Sequence, residues 1–305
     1  MAHEHHHHHE HHHHASRDHD LAFAVGIGLN VGFVVVEVVY GVLAHSMALL
    51  ADAGHNLSDV LALALAWGAS RLARRGPSAR FTYGFRSSSI FAAVVNAALL
   101  FLVTGAIAWE SIQRLWEPEP VATRTVIGVA LLGIAVNAAS AMLFARGRKE
   151  DLNIRGAFLH LAADALVSLG VVLAGIGILY TGWLWLDPAA GLLIAVVIVA
   201  GTWTLLKDSV SLAFDAVPGH IDPSQVRAYL AKLPGVAELH DLHIWGMSTT
   251  ETALTVHLVM PGGHPGDAFM SEVCEELHGH FRVQHPTIQI ETGARPCALA
   301  PDHVV

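Results

Sequence analysis

Six apolar stretches set the limits on what this chain can fold into. They run from about Leu21 to Leu43, Met47 to Ala69, Ile90 to Trp109, Thr125 to Ala145, Ala157 to Thr181 and Leu184 to Leu206, each about 20–25 residues long. An α-helix needs ~20 residues to cross a ~30 Å hydrocarbon core. At this length only a helix satisfies its own backbone polar groups within lipid. Trp109, Trp116, Tyr180, Trp183 and Trp185 fall at span ends, where amphipathic rings anchor at the interface. Composition agrees: 53% of the 305 residues are hydrophobic and 14% charged, against about 25% charged in soluble domains. Cys274 and Cys297 are too few for a disulfide framework. A net charge of −9 with scattered arginines excludes a nucleic-acid footprint.

Orientation follows from the basic residues between spans. The second connection carries Arg71, Arg74, Arg75, Arg80 and Arg86; the fourth carries Arg146, Arg148, Lys149 and Arg155; Lys207 follows the sixth span. The first and fifth connections have none, and the third has only Arg114 and Arg124. This places both termini in the cytoplasm and predicts a multi-pass protein of the cell's inner (plasma) membrane. Residues 1–20 hold eleven of the 23 histidines. They are low in complexity, cannot bury a core, and are expected to be disordered. They are either an expression tag or a segment that binds transition metals weakly.

Beyond the membrane-spanning region 21–207 the composition becomes that of a soluble domain. Asp222-Pro223 opens an amphipathic segment, SQVRAYLAKL, stopped by Pro234-Gly235. Strand-like runs follow at Val236–Trp245 and Thr252–Met260, then the helical pattern DAFMSEVCEELHGHF and a last alternating run from Thr287 to Thr292. The order helix, strand, strand, helix, strand predicts a small α+β sandwich over residues 208–292 with helices on one face. Residues 293–305 are expected to be a flexible tail. The spare sheet face is a plausible dimer contact.

Ionisable residues inside a span are costly and mark function. The third and fourth spans carry none, and the sixth has only Asp187 near one end; the first has Glu37. The second span holds Asp52, His55 and Asp59, and the fifth holds His160 and Asp164. His55-Asn-Leu-Ser-Asp59 and His160-Leu-Ala-Ala-Asp164 are both H-x-x-x-D. Residues four apart share a helix face, so two such helices can offer two imidazoles and two carboxylates to one point. That donor set suits a tetrahedral divalent ion, zinc first. The competing explanation is a pair of buried His–Asp hydrogen bonds holding helices together. Ser58, Asn56 and Asp52 are candidate supporting partners, and Glu37 a structural or gating residue. Gly28 and Gly32 form a small-xxx-small pair, a signature of close helix packing. Such ligands bind metal only when deprotonated, so binding is linked to proton release.

The run GVLAHSMALLADAGHNLSDVLALALAW, with HLAADALVSLGVVLAG in the fifth span and HDLHIW in the soluble part, resembles the cation diffusion facilitators, and the bacterial zinc-exporting branch in particular. The resemblance covers about residues 20–292. It implies six transmembrane helices, a cytoplasmic ferredoxin-like domain, homodimerisation, and proton-coupled efflux of zinc, with cobalt, cadmium or nickel as further substrates. Residue by residue it implies a transport site of His55, Asp59, His160 and Asp164. It also implies regulatory zinc at His240, His257 and Glu291; apart from the resemblance, His280, His285 and Cys297 are candidate extra ligands. Zinc is then substrate and regulatory ion; no cofactor is expected. The position of a bridging histidine in some members is Phe269 here, which favours one ion per protomer. Tyr83 stands where some members have a peripheral metal ligand, and Ser87-Ser88-Ser89 replaces the usual Ala-Glu continuation.

Two rival classes remain. An intramembrane hydrolase would need an open metal position and a general base, as in H-E-x-x-H, and no such motif occurs within the six spans. A membrane metal sensor signalling through its soluble domain is the other alternative.

Overall fold

The computed structural model describes residues 14–144 and 152–301. The histidine run before residue 14, the basic residues Arg146, Arg148 and Lys149, and the last four residues lie outside it. Six long helices come first: α1 (His14–Leu43), α2 (Met47–Ala73), α3 (Ser88–Trp116), α4 (Thr123–Phe144), α5 (Leu152–Thr181) and α6 (Leu186–Ala213). The soluble part follows as α7 (Pro223–Ala231), β1 (Glu238–Gly246), β2 (Thr252–Val259), α8 (Asp267–Gly279) and β3 (His285–Glu291). Helix α1 starts inside the stretch expected to be disordered, and most long helices outrun their predicted spans by a turn or more. Hydrogen bonding continues past the point where the apolar run stops.

Among the described residues, α3, the Thr123–Met142 part of α4, the Phe158–Thr181 part of α5, and α6 are long and apolar enough to cross a membrane. Gly28–Leu43 of α1 is a shorter apolar helix. Helix α2 is long enough at 27 residues, but Asp52, His55, Asn56 and Asp59 lower its hydropathy. The polarity that excludes α2 on composition is concentrated where the candidate site lies.

The chain divides into two compact units, residues 1–61 with 100–200 and residues 62–99 with 201–305. In the first, small residues dominate the packed interior: Ala44, Ala48, Ala51 and Ala130 lie with Val126, Val171, Val172, Ile194 and Ile198. Lipid tails are as apolar as leucine, so helices in a membrane associate through close packing of small residues. Gly133 of α4 shows the tolerance: a Cβ there would sit 2.5 Å from Phe33 of α1 and 3.1 Å from the Ser168 hydroxyl of α5. A Cβ added at Gly28 or Gly32 meets nothing within 4 Å among the described residues. Helix α2 is started by two side chains. The Ser46 hydroxyl accepts from the Leu49 amide at 3.1 Å, and Asp187 of α6 accepts from Ser46 Oγ and the Met47 amide, both at 2.5 Å. A carboxylate at a helix N-terminus satisfies orphan N–H groups and favours the dipole.

In the second unit, Asp222 caps α7 by accepting from the Ser224 amide at 2.9 Å, with Pro223 at the first helical position. The sheet has the order β1-β2-β3, antiparallel between β1 and β2 and parallel between β2 and β3. Leu254, Val256 and Leu258 of β2 face a core built with Val226 and Leu230 of α7 and Val273 and Leu277 of α8. Phe269 packs against that core. Both helices thus cover one face, and the alternate residues Thr255, His257 and Val259 occupy the open one. This is the α+β arrangement that the order helix, strand, strand, helix, strand predicts, although α6 runs on to Ala213.

Strand β1 is not regular. The register slips between His240 and His243, and Asp241 takes a left-handed φ of 51°. One extra residue in a strand is a β-bulge, which re-aims side chains. Here it lets Leu239 and Leu242, three apart, both pack on the core. His240 and His243 thereby both turn to the open face. In an unbroken strand that odd spacing would put them on opposite faces.

Candidate metal centres

The four residues singled out in the spans meet in the first unit. His55 Nε2 lies 3.1 Å from Asp164 Oδ1, and His160 Nε2 lies 3.1 Å from Asp59 Oδ2 and 3.7 Å from Asp164 Oδ2. The two rings stand edge to face with centroids 6.1 Å apart. Each histidine therefore pairs with the aspartate of the other helix. Donor atoms of His55, Asp59 and Asp164 all lie within 4.8 Å of one another, and His160 joins them through its contacts with the two carboxylates; bonds of 2.0–2.2 Å to one tetrahedral ion would place neighbouring donors about 3.5 Å apart.

Behind this quartet lies a buried polar layer only partly visible in the sequence. Asn56 donates to Glu37 Oε2 of α1 at 2.8 Å, and Ser168 of α5 donates to Asp52 Oδ2 at 2.8 Å. Glu37 and Asp52 are fully buried, and the two carboxyl groups lie within hydrogen-bonding reach of each other. Glu37 Oε1 and Asp52 Oδ1 have no donor among the described residues. Asn56 and Asp52 thus lie directly behind the quartet, Ser58 is buried on the same helix, and Ser168 was missed. Ser168 stands four residues after Asp164, one turn on the same face, and that spacing was the available signal.

A second cluster forms on the open face of the sheet. His240 and His257 are direct cross-strand partners, with ring centroids 5.3 Å apart. Glu291 of β3 reaches both, with Oε1 3.0 Å from His257 Nδ1 and Oε2 3.4 Å from His240 Nε2. Cys297 Sγ lies 3.6 Å from His257 Nδ1. The other ring nitrogen of His257 faces Asp241 at 3.4 Å, and His243 pairs with Asp241 at 2.8 Å. Burial works against ionisation of Glu291, yet hydrogen bonds from Cys297 and Gln289 and the two imidazoles hold its carboxyl below the usual carboxylate range. His240 is buried, and neither ring nitrogen has a hydrogen-bond partner among the described residues; such an orphan costs about 1–3 kcal/mol. The structure brings Cys297 to His240, His257 and Glu291, and leaves His280 and His285 elsewhere. His280 stacks on Phe281, with centroids 4.8 Å apart. His285, at the far end of β3, meets Tyr83 edge-on at 5.4 Å.

The serine run Ser87-Ser88-Ser89 now has a role. Ser87 Oγ donates to the Met247 carbonyl at 3.2 Å, and the Thr249 amide donates to Ser89 Oγ at 3.1 Å. Arg86 pairs with Glu251. The start of α3 is thereby fastened to the β1–β2 turn, beside a cavity of about 600 Å³ lined by Arg74, Asn96, Leu205 and Thr250 among others.

The family profile of the cation efflux transmembrane domain matches residues 23–212, and that of the cation efflux protein's cytoplasmic domain matches residues 218–293. The chain belongs to the cation efflux family. It is 37% identical over 269 residues to the metal cation efflux system protein CzcD of Cupriavidus metallidurans, covering 88% of this chain and 84% of that one. It is 36% identical over 271 residues to the zinc transporter ZitB of Escherichia coli, covering 88% and 86%. To the cadmium, cobalt and zinc/H(+)-K(+) antiporter of Bacillus velezensis it is 36% identical over 268 residues, covering 86% and 85%. Members of this family are membrane transporters rather than enzymes, so the hydrolase reading falls. A membrane-helical region followed by a small cytoplasmic α+β domain is the fold of this family.

Proposed function

We propose that this protein exports divalent cations from the cytoplasm, zinc first and cobalt, cadmium or nickel after it, in exchange for protons. The transported ion binds His55, Asp59, His160 and Asp164. The observation that carries this reading is the reciprocal pairing of His55 with Asp164 and of His160 with Asp59. Asp164 reaches both histidines, at 3.1 and 3.7 Å, which links the two pairs into one cluster rather than two separate struts. The names of the relatives support the cargo, since they transport zinc, cadmium and cobalt, and they disfavour the sensor alternative.

Exchange follows from ligand chemistry. A carboxylate and a neutral imidazole bind metal; their protonated forms do not. Loading from the cytoplasm releases protons, and protonation from the other side expels the ion, once movement of α2 and α5 against the other helices exposes the site alternately. Both termini and the soluble domain face the cytoplasm, the chain spans the inner membrane six times, and two copies pair through their soluble domains. His240, His257 and Glu291 hold a regulatory ion. The test is zinc uptake into sealed proteoliposomes under an imposed pH gradient, comparing wild type with His55→Ala. Gradient-dependent uptake lost in the variant is expected. Absence of uptake by folded wild-type protein would return the sensor reading.

A further inference from the structure

The cluster on the open face of the sheet contains more than two histidines and a carboxylate. After β3 the chain turns at Gly293, with φ at 75°, where an added Cβ would meet Val259 at 3.3 Å. It then folds back so that Cys297, six residues past Glu291, returns to His257. One donor atom each from His240, His257, Glu291 and Cys297 lie within 4.8 Å of one another. A second observation points to a ligand independently. His240 is 4% exposed, and both its ring nitrogens lack a hydrogen-bond partner among the described residues, even though Glu291 is 3.4 Å away. A dry imidazole whose nitrogens make no hydrogen bond among the described residues, beside a thiol and a carboxylate, is what a metal would satisfy.

We propose that Cys297 joins His240, His257 and Glu291 as the fourth ligand of a tetrahedral metal site, which binds soft divalent ions and ties the C-terminal segment across the sheet. This rests on the reading of His240, His257 and Glu291 as a metal site, and adds the donor that decides its metal class. A coordinating thiol gives its proton to solvent and binds as thiolate. Thiolate favours zinc and other thiophilic ions over magnesium, calcium or manganese, which prefer all-oxygen shells. Three ligands would leave an open position, whereas the fourth closes the site as structural zinc sites are closed. The ion then links β1, β2, β3 and the segment after β3 into one body.

Cobalt reports a thiolate bond directly, through an intense near-ultraviolet charge-transfer band. The chain has two cysteines. Cys274 lies on α8, which covers the opposite face of the sheet, and the four membrane donors are nitrogen and oxygen. The experiment titrates cobalt into the reduced, full-length protein and into Cys297→Ser, Cys274→Ser and His240→Ala. The expected result is a band in wild type and Cys274→Ser, lost in Cys297→Ser, and reduced in His240→Ala. No band in wild type, with cobalt stoichiometry still lowered by His240→Ala, would overturn the thiolate and leave the three-residue site standing. No band and no change in stoichiometry would overturn both. A band that survives Cys297→Ser and vanishes in Cys274→Ser would also overturn the proposal.

Discussion

His55 of α2 pairs with Asp164 of α5 at 3.1 Å, across the helix interface, although Asp59 lies one turn away on its own helix. Asp164 is also 3.7 Å from His160 and its side chain is 3% exposed, whereas Asp59 touches His160 and is 36% exposed. The two carboxylates are therefore unequal. Asp164→Asn is expected to weaken zinc binding by more than the 10–100-fold typical of losing a supporting residue, and to abolish transport in folded protein. Asp59→Asn should cost less. Calorimetric zinc titration of both variants, with circular dichroism to check folding, measures the ranking; a larger loss in Asp59→Asn would refute it.

What the sequence disclosed depended on the range of each interaction. Apolar length and i,i+4 spacing are local properties, so the spans and the shared helix face of each H-x-x-x-D pair could be read directly. The crossing of partners between α2 and α5 is tertiary, and so are the Asn56–Glu37 and Ser168–Asp52 bonds. Asp241 was missed because a bulge at a non-glycine residue breaks the period-two rule that strand reading relies on. Cys297 sat in what reads as a tail, and only the turn at Gly293 returns it to the sheet. Ser87 and Ser89 looked like a loss of the family's pattern because their partners, Met247 and Thr249, lie about 160 residues away.

The cap of α7 makes a pH prediction. Hydrogen bonds from the Ser224 hydroxyl and amide hold Asp222 below its usual value. A carboxyl depressed in the folded state stabilises above its unfolded pKa, near 3.9, and that contribution disappears as pH falls through the lower folded value. Asn caps helices about as well as Asp but does not titrate there. Asp222→Asn should therefore match wild type at neutral pH and show a flatter loss of α7 amide protection between about pH 5 and pH 3. Identical acid profiles in the two proteins would show that the cap is not linked to protonation.

The fastening of α3 to the β1–β2 turn combines contacts of unequal worth. Arg86–Glu251 is substantially exposed, and such pairs contribute about 0–1 kcal/mol. Gly246 is different: a Cβ there would meet Leu212 at 3.0 Å and the Ser248 carbonyl at 3.3 Å. Overpacking of that kind costs typically ~1–3 kcal/mol. Gly246→Val should speed hydrogen exchange across residues 247–251 markedly, and Arg86→Ala only slightly. The reverse order would mean that the ion pair, rather than the close packing, holds the turn.

Glu37 separates charge from hydrogen bonding in the layer behind the site. Its Oε2 accepts from Asn56 while Oε1 and Asp52 Oδ1 both lack donors among the described residues. Glu37→Ala removes the acceptor, strands the buried Asn56 amide at a cost of about 1–3 kcal/mol, and frees α2 beside His55. Zinc affinity should fall roughly 10–100-fold, as for residues that orient ligands. In Glu37→Gln the amide oxygen still accepts from Asn56, and the new amide N–H group can donate to Asp52 Oδ1. Near-normal zinc affinity and thermal stability are expected from that variant, because every buried polar atom of the pair then has a partner. If Glu37→Gln instead lost affinity as severely as Glu37→Ala, the negative charge itself would be the property that α1 contributes, and the hydrogen-bonding account of this layer would be wrong.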